Sequence, residues 1–431
     1  MDPPLDEAVL EKMSQSVLAW FARAGVDYEK FNDERWAIHR AHGDVTLEQY
    51  RCRLLHRFGQ IVARKTIVYL DLKYWINLRK VVLGQPTELA YTALFEILQQ
   101  AVNRGVLVCP LSFWVFEELL KQSDPATRKA TAILIDKLSS GVAFMHHGEI
   151  VGQEVIHFIR TISPHYRDVK QWPIRECIWT RTFSFLGDRI PVWPETIPQS
   201  DQLLAQKNME DFHFFIPLED IIDDAAVITP ESVKPGYDVA DINRRKTQVR
   251  REHKSFKSMF LAELMHTIKE NEDHWYSSMS YLQSLETGGP EEAIDVDALS
   301  ELQKRPSINL IYWLFKKDKA GNQLPSYHIP AALYAATSWD SNRQLTENDV
   351  FDFYHAQLAI PYSDLFLTES SLKALVCSRH LRLDEIYNTE IISDPNEAVT
   401  KLRLKFPSNS DTSSEPILKE LFGGNTYARS S

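Results

Sequence analysis

Cysteine is scarce in this chain. Cys52, Cys109, Cys177 and Cys377 are spread over 431 residues, and Cys109 lies inside an apolar run. Neither a disulfide framework nor a zinc ribbon fits that usage. No Gly-rich phosphate loop, HExxH or paired CxxC occurs, which removes the common kinase-like, zinc-protease and zinc-finger readings. No apolar run is long enough to span a bilayer, and the acidic N-terminal residues lack a signal-peptide pattern. A cytoplasmic protein with no membrane association is the expectation. Positive charge is also short: 48 Lys+Arg against 59 Asp+Glu leave a net charge of -11. That balance argues against coating nucleic acid through global charge and leaves room for a local basic groove.

What the chain does have is apolar and aromatic content, 44% and 11%, ample for a packed core. Its length suits two or three domains, or one domain with a large insertion. Residues 1–64 read as an N-terminal helical segment. Leu10, Met13, Val17, Leu18 and Phe21 recur at roughly helical spacing, and a second helix starts near Thr46. Trp36, His39 and His42 read there as packing and surface residues.

The pattern then changes. Thr66–Leu70 is β-branched and apolar without alternation, as in a parallel strand covered on both faces. Asp71 follows at its carboxyl end, where α/β sheets place ligands, and it suits a helix cap equally well. Glu88 to Asn103 reads as a helix, and Val106–Leu111 as a second buried strand. Ser112 caps a helix that carries Glu117 and Glu118, one facing the crevice and the other solvent. Asp124-Pro125 opens a further helix, and Val142–Met145 is a third strand.

From 146 to 344 the alternation stops, and a mainly helical insertion is expected. Trp172, Trp179 and Trp193 are most simply core or lid residues, and Gly288-Gly289-Pro290 is a break. The strongest positive patch is Arg244, Arg245, Lys246, Arg250, Arg251 and Lys254. Such runs are usually solvated faces; this one is the first choice for contacting phosphates.

At 345–400 a helix capped by Asn348 or Asp349 carries Asp352. Pro361 marks a turn, and Asp364 comes at or just before the strand Leu365–Leu367, with Thr368 and Glu369 after it. A last strand falls within 386–392. Residues 407–431 are Ser-rich and polar, and disorder is expected there. Acids converging from several rigid elements repel one another, and a divalent metal held by oxygen ligands is the usual compensation.

Four pieces recur in order: Val68-Tyr69-Leu70-Asp71; Cys109-Pro110-Leu111-Ser112 with Glu117-Glu118-Leu119; Asp349-Val350-Phe351-Asp352; and Ser363-Asp364 with Leu367-Thr368-Glu369. Together they resemble a PIN-domain nuclease over roughly 65–145 and 345–395. Lys73 stands where that family commonly has a small polar residue or Asn, and Glu369 where it often has Asp. The resemblance implies a three-layer α/β/α core with a parallel sheet and an acidic pocket for Mg²⁺ or Mn²⁺. It implies Asp71, Glu117 (or Glu118), Asp352 and Asp364 as metal-binding, catalytic acids, with Ser112, Thr368, Asp349 and Glu369 in support. His355, near Asp352, reads as packing more than phosphate contact. The function implied is endoribonuclease action on RNA, in the setting of a toxin or defence effector. A homo-oligomer or a regulatory protein partner is compatible with it. A structure-specific DNase and a noncatalytic PIN-like binding or assembly module are the alternatives.

Overall fold

The computed structural model describes residues 7–166, 171–186, 196–225, 239–287, 299–320, 322–340, 342–407, 415–424 and 426–427. Trp193, the Gly288-Gly289-Pro290 break and residues 408–414 of the polar tail lie outside them.

The chain opens with α1 (Glu7–Arg23), α2 (Tyr28–Ala41) and α3 (Leu47–Ala63). Thr46 starts α3 through a reciprocal box with Gln49. The α/β part follows: β1 (Thr66–Leu70), α4 (Leu72–Val82), α5 (Leu89–Asn103), β2 (Leu107–Val108), α6 (Phe113–Leu120), α7 (Pro125–Ser139) and β3 (Val142–Phe144). Ser112 caps α6 by accepting from Val115 N–H at 3.2 Å, and Asp124 caps α7 through Thr127 N–H. The middle of the chain is mainly helical: α8 (His147–Ile162), β4 (Trp179–Arg181), α9 (Gln199–Phe212), α10 (Leu218–Ala225), α11 (Val239–Glu252), α12 (Phe256–Glu270), α13 (Glu272–Thr287), α14 (Glu301–Lys316) and α15 (Pro325–Trp339). The chain closes with α16 (Glu347–Tyr362), β5 (Leu365–Leu367), α17 (Ser370–Val376), α18 (Leu383–Tyr387), β6 (Glu390–Ile392), α19 (Pro395–Lys405) and α20 (Ile417–Phe422).

Four strands form a parallel sheet in the order β2-β1-β5-β6. Val68, Tyr69 and Leu70 pair with Leu365, Phe366 and Leu367. Every β1 residue from Ile67 to Leu70 is buried, so both faces of the sheet are covered, as its unbroken apolar run requires. β3 joins through a parallel bridge from Leu111 to Ala143, and its other edge takes β4 antiparallel. β4 was not expected; three residues inside an irregular, Trp- and Pro-rich stretch carry no strand signal. Strand order reverses at β1, which has β2 on one side and β5 on the other. In open α/β sheets ligands bind outside the carboxyl ends at such a point.

One apolar core runs from α1–α3 through the sheet to α10, α16 and α20. A second lies among α8, α12, α13, α14 and α15. No helix among the described residues is long and apolar enough to cross a membrane.

Three expectations change. α16 is capped by Thr346, boxed with Asp349, instead of by Asn348 or Asp349. Residues 415–427 are ordered where described: Ile417 and Leu421 are buried one turn apart on α20, which packs on α3. An average over a polar tail hides that apolar pair. His39 is fully buried, in a network tying three distant segments together. Asp211 of α9 accepts from Arg35 Nε at 2.7 Å, contacts His39 Nε2 at 2.9 Å and accepts from Tyr50. Arg35 also donates to Thr426 Oγ1 at 2.8 Å, and His39 Nδ1 meets Tyr427 Oη at 2.7 Å.

Removing one partner of a fully buried ion pair leaves the other charge uncompensated. Asp211→Ala is therefore expected to lower unfolding free energy by roughly 3–5 kcal/mol in urea titration. A loss within the error of the titration would show that this network does not hold the ends of the chain together.

Candidate active site

The β1–β5 ladder decides which acids meet. Asp71 N–H donates to Leu367 O at 3.1 Å, so Asp71 sits at the carboxyl end of the sheet, beside Thr368 and Glu369. Asp71 Oδ1 caps α4 by accepting from Lys73 N–H at 3.0 Å, so the capping and the site roles fall on one side chain. Its Oδ2 is buried with no hydrogen-bond partner. Thr368 Oγ1 is close enough to favour the ionised carboxyl, but outside hydrogen-bonding geometry. Burial is the larger influence and raises the Asp71 pKa to about 6. Asp352 approaches from α16. Burial, opposed by His355 and reinforced by Asp71 and Glu369, raises its pKa to about 7.

His355, one turn on from Asp352, is 2% exposed. Its Nε2 faces Glu118 Oε2 at 2.9 Å and its Nδ1 faces Tyr69 Oη at 2.6 Å; Tyr69 Oη in turn meets Ser112 Oγ at 2.7 Å. Burial opposes the imidazolium, yet Glu118, Asp71 and Asp352 together raise the His355 pKa. With both ring nitrogens protonated the chain has one direction: His355 donates to Glu118 and to Tyr69, and Tyr69 donates to Ser112. Sequence reasoning gave His355 a packing role. Its i+3 spacing from Asp352 was the available signal, because that spacing puts both on one helix face.

Beside this face, Trp114 stacks on Tyr354 with centroids 3.9 Å apart and planes at 9°. Lys121 Nζ lies 3.6 Å over the Phe351 ring. Trp114 precedes Glu118 by one turn on α6, and Tyr354 adjoins His355 on α16, so this aromatic pair flanks the buried acids.

Two predicted ligands are elsewhere. Asp364 precedes β5 at the amino end of that strand. Its Oδ2 accepts from Ile67 N–H at 2.7 Å, and its Oδ1 pairs with Arg175 at 3.2 Å. It fixes the strand register and is already compensated. Glu117 is buried on α6, where burial raises its pKa and Lys121 is the charge that opposes; Glu118 is the glutamate that reaches the site. Asp349 serves the α16 box and pairs with Arg343 at 2.6 Å.

The basic run is α11. Arg244 and Arg245 both pair with Asp241, and Lys246 is buried, donating to Arg343 O. Lys246 is thus unable to meet a phosphate: a run of charges on a helix turns one of them inward. Arg250, Arg251 and Lys254 remain exposed, Arg250 over the Trp339 ring at 5.6 Å. Asn243 bonds both ways with Leu345, docking α11 on the segment that enters α16.

Among the described residues no group of three or more His, Cys, Asp or Glu side chains gathers closely enough to hold a metal ion. A hard cation of the Mg²⁺ type needs less, since one or two carboxylates with water and substrate oxygens commonly hold it. The unpartnered, buried Asp71 Oδ2 beside a second carboxyl fits that lean donor set. Comparison of the chain with protein-family models, curated proteins and solved structures gave no match.

A carboxyl whose pKa is raised on folding stabilises the fold in full only below its unfolded value, 3.8 for Asp. The contribution is lost as pH rises through about 6 for Asp71 and about 7 for Asp352. In EDTA at alkaline pH, Asp71→Asn or Asp352→Asn is therefore expected to raise unfolding free energy by on the order of 1–2 kcal/mol. The gain should vanish on acidification to the unfolded pKa. Melting curves across that pH range check it; variants no more stable than wild type would contradict the arrangement.

Proposed function

We propose that this protein is a PIN-like nuclease, a three-layer α/β/α core with a helical insertion, that hydrolyses phosphodiester bonds in single-stranded nucleic acid, RNA in preference. The observation that carries the reading is the approach of a half-buried carboxyl, Asp352, to the buried carboxyl of Asp71 at the carboxyl end of the sheet where strand order reverses.

Asp71 and Asp352 would hold one divalent cation, Mg²⁺ or Mn²⁺, between them. Bound there, the ion would supply neutralisation of the phosphate and acidification of a water. Both carboxyls must be ionised to hold the ion, so a proton on Asp352, whose pKa lies at about 7, competes with the cation below that pH. Buried His355, whose pKa Glu118 and both carboxyls raise, fixes Glu118 against the site. Trp114 and Tyr354 offer ring faces on which unpaired bases stack, a sequence-tolerant contact. Arg250 and Arg251 at the end of the docked α11, and Lys254 just after it, would draw in the backbone.

A second reading, a PIN-like module that binds nucleic acid without cutting it, draws on two observations. No group of three or more ligating side chains gathers among the described residues, and His355, its pKa raised by the acids, lies beside them. Cleavage of an RNA pool and of single-stranded DNA, with Mg²⁺, Mn²⁺ or EDTA, separates the readings. Metal-dependent cutting is expected to fall at least ~100-fold in Asp71→Asn and in Asp352→Asn. Asp364→Asn should keep most activity, because Asp364 lies away from the acids. At limiting metal the wild-type rate should climb as pH passes through about 7, where the Asp352 proton ceases to compete with the cation. Activity lost only in Asp364→Asn would overturn this assignment, and a folded wild type that binds RNA without cutting would establish the second reading.

Trp114→Ala is expected to weaken binding of single-stranded RNA by about 5- to 100-fold, at the 1–3 kcal/mol of a base stack. Fluorescence anisotropy in Ca²⁺ or EDTA reads it. An unchanged affinity would remove the aromatic pair from the substrate path.

A further inference from the structure

A cavity of about 330 Å³ opens between α3, α8 and the turn Ile174–Glu176. None of the acids above lines it. Its volume is at the small end of the range for small-molecule sites. The turn can approach α3 this closely because Gly59 has no side chain: a Cβ there would lie 1.9 Å from Glu176 O. One wall is aromatic. The Trp172 and His56 rings have centroids 4.1 Å apart, and Trp172 is 38% exposed, so indole surface stays open for a ring to stack on.

Among the described residues, one strong base and one acid line the cavity. Glu176 is the only acid among the described residues that line it, and it already faces His56 at 3.3 Å. Arg160 also lines the cavity, and its Nε is buried with no hydrogen-bond partner. His157, one turn before it on α8, is held neutral by burial and by Arg160, and so keeps one N–H to donate. Gln153, one turn earlier again, offers an amide able to read the polar edge of a heterocycle.

We propose that this cavity binds a nucleoside monophosphate, with its base on Trp172 and its phosphate on the Arg160 guanidinium. A planar fork of donors suits a phosphate's oxygens, and an indole face suits any base. The site is separate from the carboxylate pair and does not depend on nuclease action.

Isothermal titration of adenosine 5′-monophosphate in EDTA tests it, on the wild type and on the Asp71→Asn/Asp352→Asn variant. Saturable binding is expected in both. Adenosine and inorganic phosphate alone should each bind at least ~10-fold more weakly, since each loses one of the two contacts. Arg160→Met and Trp172→Ala should each cost ~10-fold or more, with Arg160→Lys in between. No binding at about 1 mM nucleotide, which corresponds to under ~4 kcal/mol, overturns the proposal. So does binding abolished by the Asp71→Asn/Asp352→Asn change, or binding that all three cavity variants leave intact. Melting curves confirm that each variant is folded; if Arg160→Met does not fold, Arg160→Lys and Trp172→Ala decide the outcome.

Discussion

The parallel pairing of β1 with β5 is the constraint on which the site depends. It joins segments some 300 positions apart in sequence, Val68 with Leu365 through Leu70 with Leu367. That register puts Asp71 beside Thr368 and sends Asp364 to the amino end of its strand. A strand rises about 3.3 Å per residue, so the two ends of even a short ladder are separate environments. One end gathers unpaired carboxyls. The other fastens Asp364 to Ile67 N–H and Arg175, and so helps to hold the register that keeps the acids apart.

Sequence reading found the elements of this arrangement more readily than its sides. β1 and β5 stand out because buried parallel strands are continuous apolar runs, and Ser112 and Asp124 announce their helices as caps. Asp364 was read in its right place, just before its strand, yet taken for a ligand, although ligands sit past the carboxyl end. Glu117 and Glu118 differ by 100° on one helix, and only the position of α16 decides between them. Lys246 turned inward because one of a row of charges on a docked helix must face the neighbour. β4 pairs with β3 some 35 to 39 residues before it, and the helix at 417–422 and the Asp211 network rest on contacts between segments more than a hundred residues apart; neither leaves a local period to read.

Holding Asp71 and Asp352 together works against the stability of the fold. Burial raises both pKa values, and His355 offsets the cost only partly. Such groups gather at functional sites because reactivity requires them there. The Arg35–Asp211 network is of a different kind: its charges are paired in full view of one another and its work is to tie α2, α9 and the C-terminal residues into one core. A buried charge with its partners in place thus sets Asp211 apart from Asp71 and Asp352.

We propose that Asp71 and Asp352, whose pKa values burial raises to about 6 and about 7, give up their protons to a divalent cation. Calorimetric titration of Mn²⁺ at pH 6, in two buffers of different ionisation enthalpy, measures it directly. Metal ligands must be deprotonated, so binding at that pH should release on the order of one proton and be lost in Asp71→Asn. Absence of binding, or binding without proton release that survives in Asp71→Asn, would contradict the account.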